Sequence, residues 1–206
     1  VADALGDLAA YWRAKFETPV VAVAGSCGKT TVKDMLGRMA SAVCRTLATE
    51  GNLNNLIGAP STLLELEEGH GAAIIEIGMN QPGEIARLTE ICSPTIGLLL
   101  NVCPAHLELC GGMEGVVRAK GEMIEKLGRD ALLVYNIDDE RVRKLASGFA
   151  GARLSFGRSA DAGVRLLAAE AAPHDPAPLQ RLAYVYEARG EFRQLVQTLR
   201  RLLELT

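Results

Sequence analysis

The sequence has few aromatic residues, no block of basic residues and no long hydrophobic run. Aromatic residues make up 4% of the 206 positions and hydrophobic residues 49%, a composition typical of a packed sheet-and-helix protein. The formal net charge is −3, and this balance argues against nucleic acid or an anionic membrane as the partner. Because no apolar run approaches a membrane span and no signal peptide opens the chain, we expect a cytoplasmic protein without membrane insertion.

The cysteines have neither an even count nor the paired spacing of a zinc site. We therefore expect reduced thiols, as is usual in the cytosol. Cys27 precedes a predicted helix, where a thiol pKa can be lowered, but a small residue filling a loop is the simpler interpretation. The five cysteines are Cys27, Cys44, Cys92, Cys103 and Cys110.

The most informative stretch is an apolar run, Val20 to Ala24, that ends in a glycine-rich turn. The residues after the turn, 32–43, carry apolar side chains at helical spacing, so the order is strand, loop and helix N-terminus. This order is typical of a site that binds nucleotide phosphates through loop amides, a lysine and a hydroxyl that meets magnesium. The alternative, a plain turn with a surface lysine, fits this context less well. In the common form of this motif the first glycine lies at the position that Val23 occupies here, so Gly25 must make the tight turn instead. The turn consists of Gly25, Ser26, Cys27, Gly28, Lys29, Thr30 and Thr31.

Two further apolar strands end in polar residues at the same predicted sheet edge. The first, 72–78, contains Glu76, and a buried carboxylate is costly unless it is paired or bound to a metal. Ligands of open α/β sheets sit at the carboxyl ends of strands, so Glu76 is a candidate magnesium ligand; the alternative is an edge-strand glutamate that reaches water. The second strand, 95–102, brings Asn101 and then His106 to this edge. The histidine is either a metal ligand or a hydrogen-bonding loop residue.

An asparagine-rich loop and a helical lysine are weaker candidates. Asn52, Asn54 and Asn55 could contact a substrate, although asparagine and glycine are also ordinary turn residues. Lys120 lies on a predicted helix over 114–127, where a lysine is normally solvated. The local sequence alone does not single it out.

Two polar residues follow the strand predicted over 131–136. Asn136 and Asp139 could contact the base or ribose of a nucleotide. Asp139 could equally be the N-cap of the helix predicted over 140–146.

Strands and helices alternate along the chain, which predicts a doubly wound, mostly parallel α/β sheet. This domain is expected over residues 1–170. A proline-rich linker follows at 171–178, and residues 179–206 resemble a single tetratricopeptide-type helical hairpin. One such hairpin cannot bury its apolar face alone, so we expect it to dock on the main domain, on another copy or on a protein partner.

Five ordered motifs together resemble the central, ATP-binding domain of the Mur ligases. The asparagine-rich segment is most similar to the type that adds D-alanyl-D-alanine to UDP-N-acetylmuramoyl-tripeptide. The motifs are residues 24–31, 50–60, 76–78, Asn101 with 105–108, and 119–122.

The resemblance implies an enzyme that phosphorylates a carboxylate with ATP and lets an amine attack the acyl phosphate to form an amide, as in peptidoglycan precursor synthesis. It implies ATP, two magnesium ions, a UDP-muramoyl-peptide-like or other carboxylate, and an amino acid or dipeptide. By the same resemblance, Lys29 and residues 25–31 bind the phosphates, and Thr30 and Glu76 bind one magnesium ion. His106 helps to bind a second magnesium ion, and Lys120 is carbamylated to serve that second ion. Asn136 and Asp139 contact the nucleotide, and Asn52, Asn54 and Asn55 contact the substrate.

Complete members of this family also carry an N-terminal domain for the UDP-sugar and a C-terminal domain for the incoming amino acid. Neither is recognisable in these 206 residues. The alternative function is therefore a non-catalytic or partner-dependent ATP-binding scaffold that uses its helical tail for protein interaction. A GTPase is a weaker alternative, because residues 136–139 lack the lysine of the guanine-binding motif.

Overall fold

The structure is a computed structural model that describes residues 1–105 and 107–165. His106, the predicted linker at 171–178 and the predicted hairpin at 179–206 lie outside the described residues. The division into these domains therefore stays a prediction.

The described chain forms a seven-stranded sheet in which every pairing is parallel, and this confirms the predicted fold class. The strand order is β2-β3-β1-β4-β5-β6-β7. The inner strands are apolar on both faces, as parallel strands covered by helices must be. Their bounds are β1 Val20–Ala24, β2 Thr46–Ala48, β3 Ala72–Glu76, β4 Ile96–Leu99, β5 Leu132–Asn136, β6 Ala152–Gly157 and β7 Val164–Arg165.

A helix connects each pair of successive strands except β6 and β7, and the helices predicted over 114–127 and 140–146 are present with ends that differ by at most one residue. The helix after the first strand begins at Lys29, three residues before the predicted start, because Gly28 takes a left-handed conformation (φ 79°) as its N-cap. A short helix at residues 107–110 was not predicted. The helices are α1 Ala2–Arg13, α2 Lys29–Ser41, α3 Gly58–Leu64, α4 Glu84–Cys92, α5 Leu107–Cys110, α6 Met113–Lys126 and α7 Glu140–Ser147.

The two faces of the sheet bury different helices. The larger core joins Ala22 and Ala24 of β1 to side chains of α1, α3, α4, α6 and α7. The smaller core joins Val23 to Val32 and Leu36 of α2 on the opposite face. Helices on both faces make the sheet doubly wound. Within the described ranges, no helix is both long and apolar enough to cross a membrane.

The strand order indicates which edge of the sheet would bind a ligand. From β1 the chain passes to β2 at the edge of the described sheet and returns inward to β3, and it then continues through β4 to β7 on the other side of β1. In open α/β sheets ligands bind at the carboxyl ends of the strands where the winding direction reverses. Here that point is the carboxyl end of β1 with its neighbours β3 and β4.

Candidate active site

The turn after β1 is held close to the strand β4. Gly25 has φ 153°, and a Cβ at this position would lie 3.0 Å from Cβ of Leu100 and 3.4 Å from the backbone nitrogen of Asn101. A side chain at position 25 would therefore meet both strain and crowding. Gly25 makes the tight approach that the common motif assigns to an earlier glycine.

Asn101 fastens this turn from the end of β4. Its Oδ1 accepts hydrogen bonds from the backbone nitrogens of Ser26 (3.1 Å) and Cys27 (2.9 Å), and its Nδ2 donates to the carbonyl of Cys27 (3.0 Å). The hydroxyl of Ser26 donates to the carbonyl of Cys103 and accepts from its backbone nitrogen. The sequence placed Asn101 at this edge, but it did not reveal that the amide side chain holds the loop.

The start of α2 leaves backbone donors for an anion. The backbone nitrogen of Val32 donates to the carbonyl of Gly28, and no side chain caps the helix. The first amides of a helix have no partner inside the helix, and they carry the positive end of its dipole. This N-terminus therefore suits a phosphate group. Thr30 is half-buried in the first turn, and Thr31 is exposed.

A cavity of about 210 Å³ lies beside the turn. It brings together four residues that were predicted to belong to the site, Ser26, Lys29, Asn54 and Lys120. Nζ of Lys29 donates to the carbonyl of Ser26 at 3.4 Å. The lining residues are Ser26, Lys29, Asn54, Gly78, Met79, Asn80, Ala105 and Lys120.

Glu76 is a buried carboxylate at the end of β3. It is 1% exposed, and β3 lies between β1 and β2, so the alternative of an edge-strand glutamate reaching water is wrong. Its backbone nitrogen donates to Oγ1 of Thr49 at 2.9 Å, and its Oε1 accepts a hydrogen bond from Nδ2 of Asn54 at 2.7 Å. Its Oε2 is buried without a hydrogen-bond partner in the structure.

This unpartnered oxygen fits a magnesium ion. A buried carboxylate oxygen without a partner carries a large desolvation cost, which a bound cation would offset. Magnesium prefers oxygen ligands and commonly uses one or two carboxylates together with nucleotide phosphates and water. Glu76 and the hydroxyl of Thr30 supply ligands of that kind. Within residues 1–105 and 107–165, no three His, Cys, Asp or Glu residues are grouped so that they could hold a metal ion, and a site completed by phosphates does not require such a group.

Lys120 is buried in the wall of the cavity, at 2% exposure on α6. Burial, and next the positive charge of Lys29, lower the pKa of Lys120 from 10.5 to about 8. The carboxylate of Glu122 accepts hydrogen bonds from the backbone nitrogens of Gly83 (2.7 Å) and Ala86 (3.0 Å), which fixes α6 against the start of α4. Lys120 shares the cavity with residues that are distant in the sequence, so no local pattern around residue 120 encodes its burial.

The structure separates the three asparagines of the loop at 50–57. Asn54 lines the cavity and contacts Glu76. Asn55 accepts hydrogen bonds from the backbone nitrogens of Ile57 (3.0 Å) and Gly58 (2.8 Å), which places it at the start of α3, and Asn52 is exposed. The three residues therefore have different environments, although the sequence treated them as one group.

Asp139 is the N-cap of α7, which is one of the two alternatives that the sequence left open. Its Oδ1 accepts from the backbone nitrogens of Arg141 (2.9 Å) and Val142 (3.1 Å), and its Oδ2 accepts from that of Val102 (2.8 Å). Asn136 ends β5, and its Oδ1 accepts from the backbone nitrogen of Asp138. Among the described residues, Asn136 and Asp139 are not part of the cavity lining.

The family model for the Mur ligase middle domain matches residues 23–176. The chain is 43% identical over 136 residues to the UDP-N-acetylmuramoyl-tripeptide–D-alanyl-D-alanine ligase of Escherichia coli K12; the match covers 66% of this chain and 30% of that protein. These matches confirm the resemblance stated from the ordered motifs.

Two solved structures have the same fold. MurF from Acinetobacter baumannii superposes with a TM-score of 0.76 at 37% identity, covering 81% of this chain and 37% of that one. MurF from Thermotoga maritima, solved in complex with ADP, superposes with a TM-score of 0.74 at 33% identity, covering 80% of this chain and 38% of that one. This chain spans about a third of the length of the relatives it matches.

Proposed function

The chain belongs to the Mur ligase family through its middle domain, and we propose that it is the ATP-binding core of an ATP-dependent amide ligase. The observation that carries the proposal is the cavity in which Lys29 of the phosphate loop meets the buried Lys120, beside the loop that contacts Glu76. A plain nucleotide-binding turn would require only the loop and its lysine.

In the proposed reaction, a carboxylate oxygen of the substrate attacks the γ-phosphorus of ATP and ADP leaves. An amine then attacks the acyl carbon, its nitrogen releases a proton, and inorganic phosphate leaves as the amide forms. Lys29 and the first amides of α2 hold the β- and γ-phosphates, and Asn101 keeps the loop in place before the nucleotide arrives.

Thr30 and Glu76 would hold one magnesium ion, and His106 would help hold a second. When bound, magnesium would offset the negative charge that the phosphates and the acyl phosphate carry. The unpartnered Oε2 of Glu76 supports the first of these assignments.

We further propose that Lys120 reacts with carbon dioxide and becomes a carbamate. The neutral amine nitrogen bonds to the carbon of CO₂ and a proton is released, which leaves a carboxylate at the end of the side chain. Because burial and Lys29 lower the pKa of Lys120 to about 8, a useful fraction of the amine is neutral near physiological pH. The carbamate oxygens would then serve the second magnesium ion.

The remaining assignments concern ATP's nucleoside and the substrates. Asn136 and Asp139 lie at the carboxyl end of β5, next to β4, and we assign the nucleoside to that edge. Asp139 would act by shaping the loop through its cap. Asn52 and Asn55 are assigned to the side that receives the carboxylate substrate.

We propose UDP-N-acetylmuramoyl-tripeptide and D-alanyl-D-alanine as the substrates, on the strength of the 43% identity to the Escherichia coli ligase of that name. The chain spans 30% of that relative, so the substrates are assigned to a ligase of which this domain is the nucleotide-binding part.

Calorimetry of ATP binding in the presence of Mg²⁺ tests the proposal. Lys29→Ala removes a charged phosphate donor, and we expect ATP affinity to fall roughly tenfold to hundredfold. Lys126→Ala, which removes an exposed lysine of α6 paired with Glu90, is the matched control and should bind ATP like the wild type. Equal ATP affinity in Lys29→Ala and wild type would refute phosphate binding by this loop.

A further inference from the structure

The two carboxylate oxygens of Glu76 have different surroundings. Oε1 accepts a hydrogen bond from Nδ2 of Asn54 at 2.7 Å, whereas Oε2 is buried without a hydrogen-bond partner. The side chain is 1% exposed, so water does not compete freely for either oxygen. One oxygen is therefore held by the protein, and the other is left for a cation.

Gly78 contacts both the backbone and the side chain of Asn54. The backbone nitrogen of Gly78 donates to the carbonyl of Asn54 at 2.8 Å. A Cβ on Gly78 would lie 2.7 Å from Oδ1 of Asn54 and 2.8 Å from its Cγ, closer than real Cβ contacts. The missing side chain at position 78 thus leaves the space that the Asn54 amide occupies beside Glu76.

The backbone of Glu76 is fixed as well. Its backbone nitrogen donates to Oγ1 of Thr49, a residue at 2% exposure just after β2. With the backbone held by Thr49 and Oε1 held by Asn54, little rotational freedom remains for the carboxylate of Glu76. A metal ligand held in this way loses less entropy when the ion binds.

We infer that Asn54 is a positioning residue for Glu76, and that position 78 is glycine to make room for it. The inference rests on the proposed function, because it takes Glu76 to be the magnesium ligand. It assigns Asn54 a role different from the substrate contact expected from the sequence.

The test measures how much Mg²⁺ increases the affinity of the whole 206-residue chain for ATP, by calorimetry with Mg²⁺ or with EDTA. Partners that orient a metal ligand are typically worth tenfold to hundredfold in metal affinity. We expect Asn54→Ala to reduce the Mg²⁺-dependent gain at least about tenfold and to leave ATP affinity in EDTA unchanged. Leu53→Ala, an exposed neighbour in the same loop, is the control and should retain the full gain.

Gly78→Ala tests the same contact without removing a polar group. The added methyl group should displace the Asn54 amide, and we expect the Mg²⁺-dependent gain to fall in the same direction as in Asn54→Ala. Gly128→Ala is the matched control, because a Cβ at Gly128 would meet no atom within 4 Å. A Gly78→Ala variant with the wild-type gain would overturn the role assigned to this glycine.

A double-mutant cycle with Glu76→Gln decides whether Asn54 acts through Glu76. If it does, Asn54→Ala causes no further loss of the gain in the Glu76→Gln background. Additive losses would overturn the inference. Two other results for Asn54→Ala would also overturn the inference. One is an equal fall of ATP affinity with and without Mg²⁺, which indicates a general defect of the loop. The other is a fall in affinity for the carboxylate substrate alone.

Failure of the proposed function gives a separate result. If the wild-type chain gains no ATP affinity from Mg²⁺, the proposed function fails, and the contact is then decided by NMR. The side-chain amide signal of Asn54, assigned by its loss in Asn54→Ala, should shift in Glu76→Gln. An unshifted signal overturns the inference.

Discussion

Replacing Lys120 by methionine should stabilise the domain at neutral pH while removing the proposed carbamate. Lys120 is 2% exposed, and its pKa is lowered from 10.5 to about 8, chiefly by burial and next by Lys29. This pKa difference corresponds to about 3 kcal/mol of folding free energy, which is lost when the folded state has to bury the charged amine. Methionine keeps a long unbranched side chain without the charge, so Lys120→Met should recover about 1–3 kcal/mol at pH 7.

The pH dependence has a defined sign. The unfolded chain holds this proton up to about pH 10.5, whereas the folded chain releases it near pH 8. The unfolded state therefore binds more protons between these values, and the free energy of unfolding of the wild type rises with pH across that window. The advantage of Lys120→Met should be greatest below about pH 8 and vanish near pH 10.5.

Urea denaturation of both proteins in CO₂-free buffer at several pH values between 7 and 10.5 measures this difference. Lys126→Met, an exposed position on the same helix, serves as the control and should have a stability close to that of the wild type at each pH. Added bicarbonate should stabilise the wild type and not Lys120→Met, if the carbamate forms. A Lys120→Met protein that is less stable at pH 7, or that shows no pH-dependent difference from wild type, would refute the reasoning.

Two further substitutions test the loop and the cap. Asn101→Ala removes three hydrogen bonds to the phosphate loop, and ATP affinity by calorimetry should fall about tenfold; unchanged affinity would show that the loop holds its shape without this side chain. Asp139→Ala removes the N-cap of α7 and the bond to Val102, so urea denaturation should show a loss of about 1–2 kcal/mol. Asn136→Ala is its control with a single local bond, and an equal loss in both variants would contradict the capping role.

The residues at strand ends were predictable because parallel strands deliver their carboxyl ends to one edge. This rule placed Gly25, Glu76 and Asn101 correctly at that edge, from β1, β3 and β4. It gave positions and not contacts. The amide of Asn101 could have turned to a ligand, and only the structure shows it bonded to the loop.

The environment of Lys120 and the separate surroundings of the asparagines could not be read from the sequence. Lys120 lies on a helix with ordinary spacing, and its burial depends on the surrounding fold, which brings Ser26, Lys29 and Asn54 to the same cavity. Asn54 and Asn55 are adjacent, yet one contacts Glu76, 22 residues away, and the other binds amides two and three residues further on. Local chemistry is the same for both, and the fold alone tells them apart.

The hydrogen bonds between Ser26 and Cys103 link the phosphate loop to the segment after β4. Because the Ser26 hydroxyl is hydrogen-bonded to both the carbonyl and the backbone nitrogen of Cys103, we expect the phosphate loop and the segment after β4 to move together. A displacement of the phosphate loop by a bound nucleotide would therefore be transmitted to the segment after β4, which carries Ala105 in the lining of the same cavity.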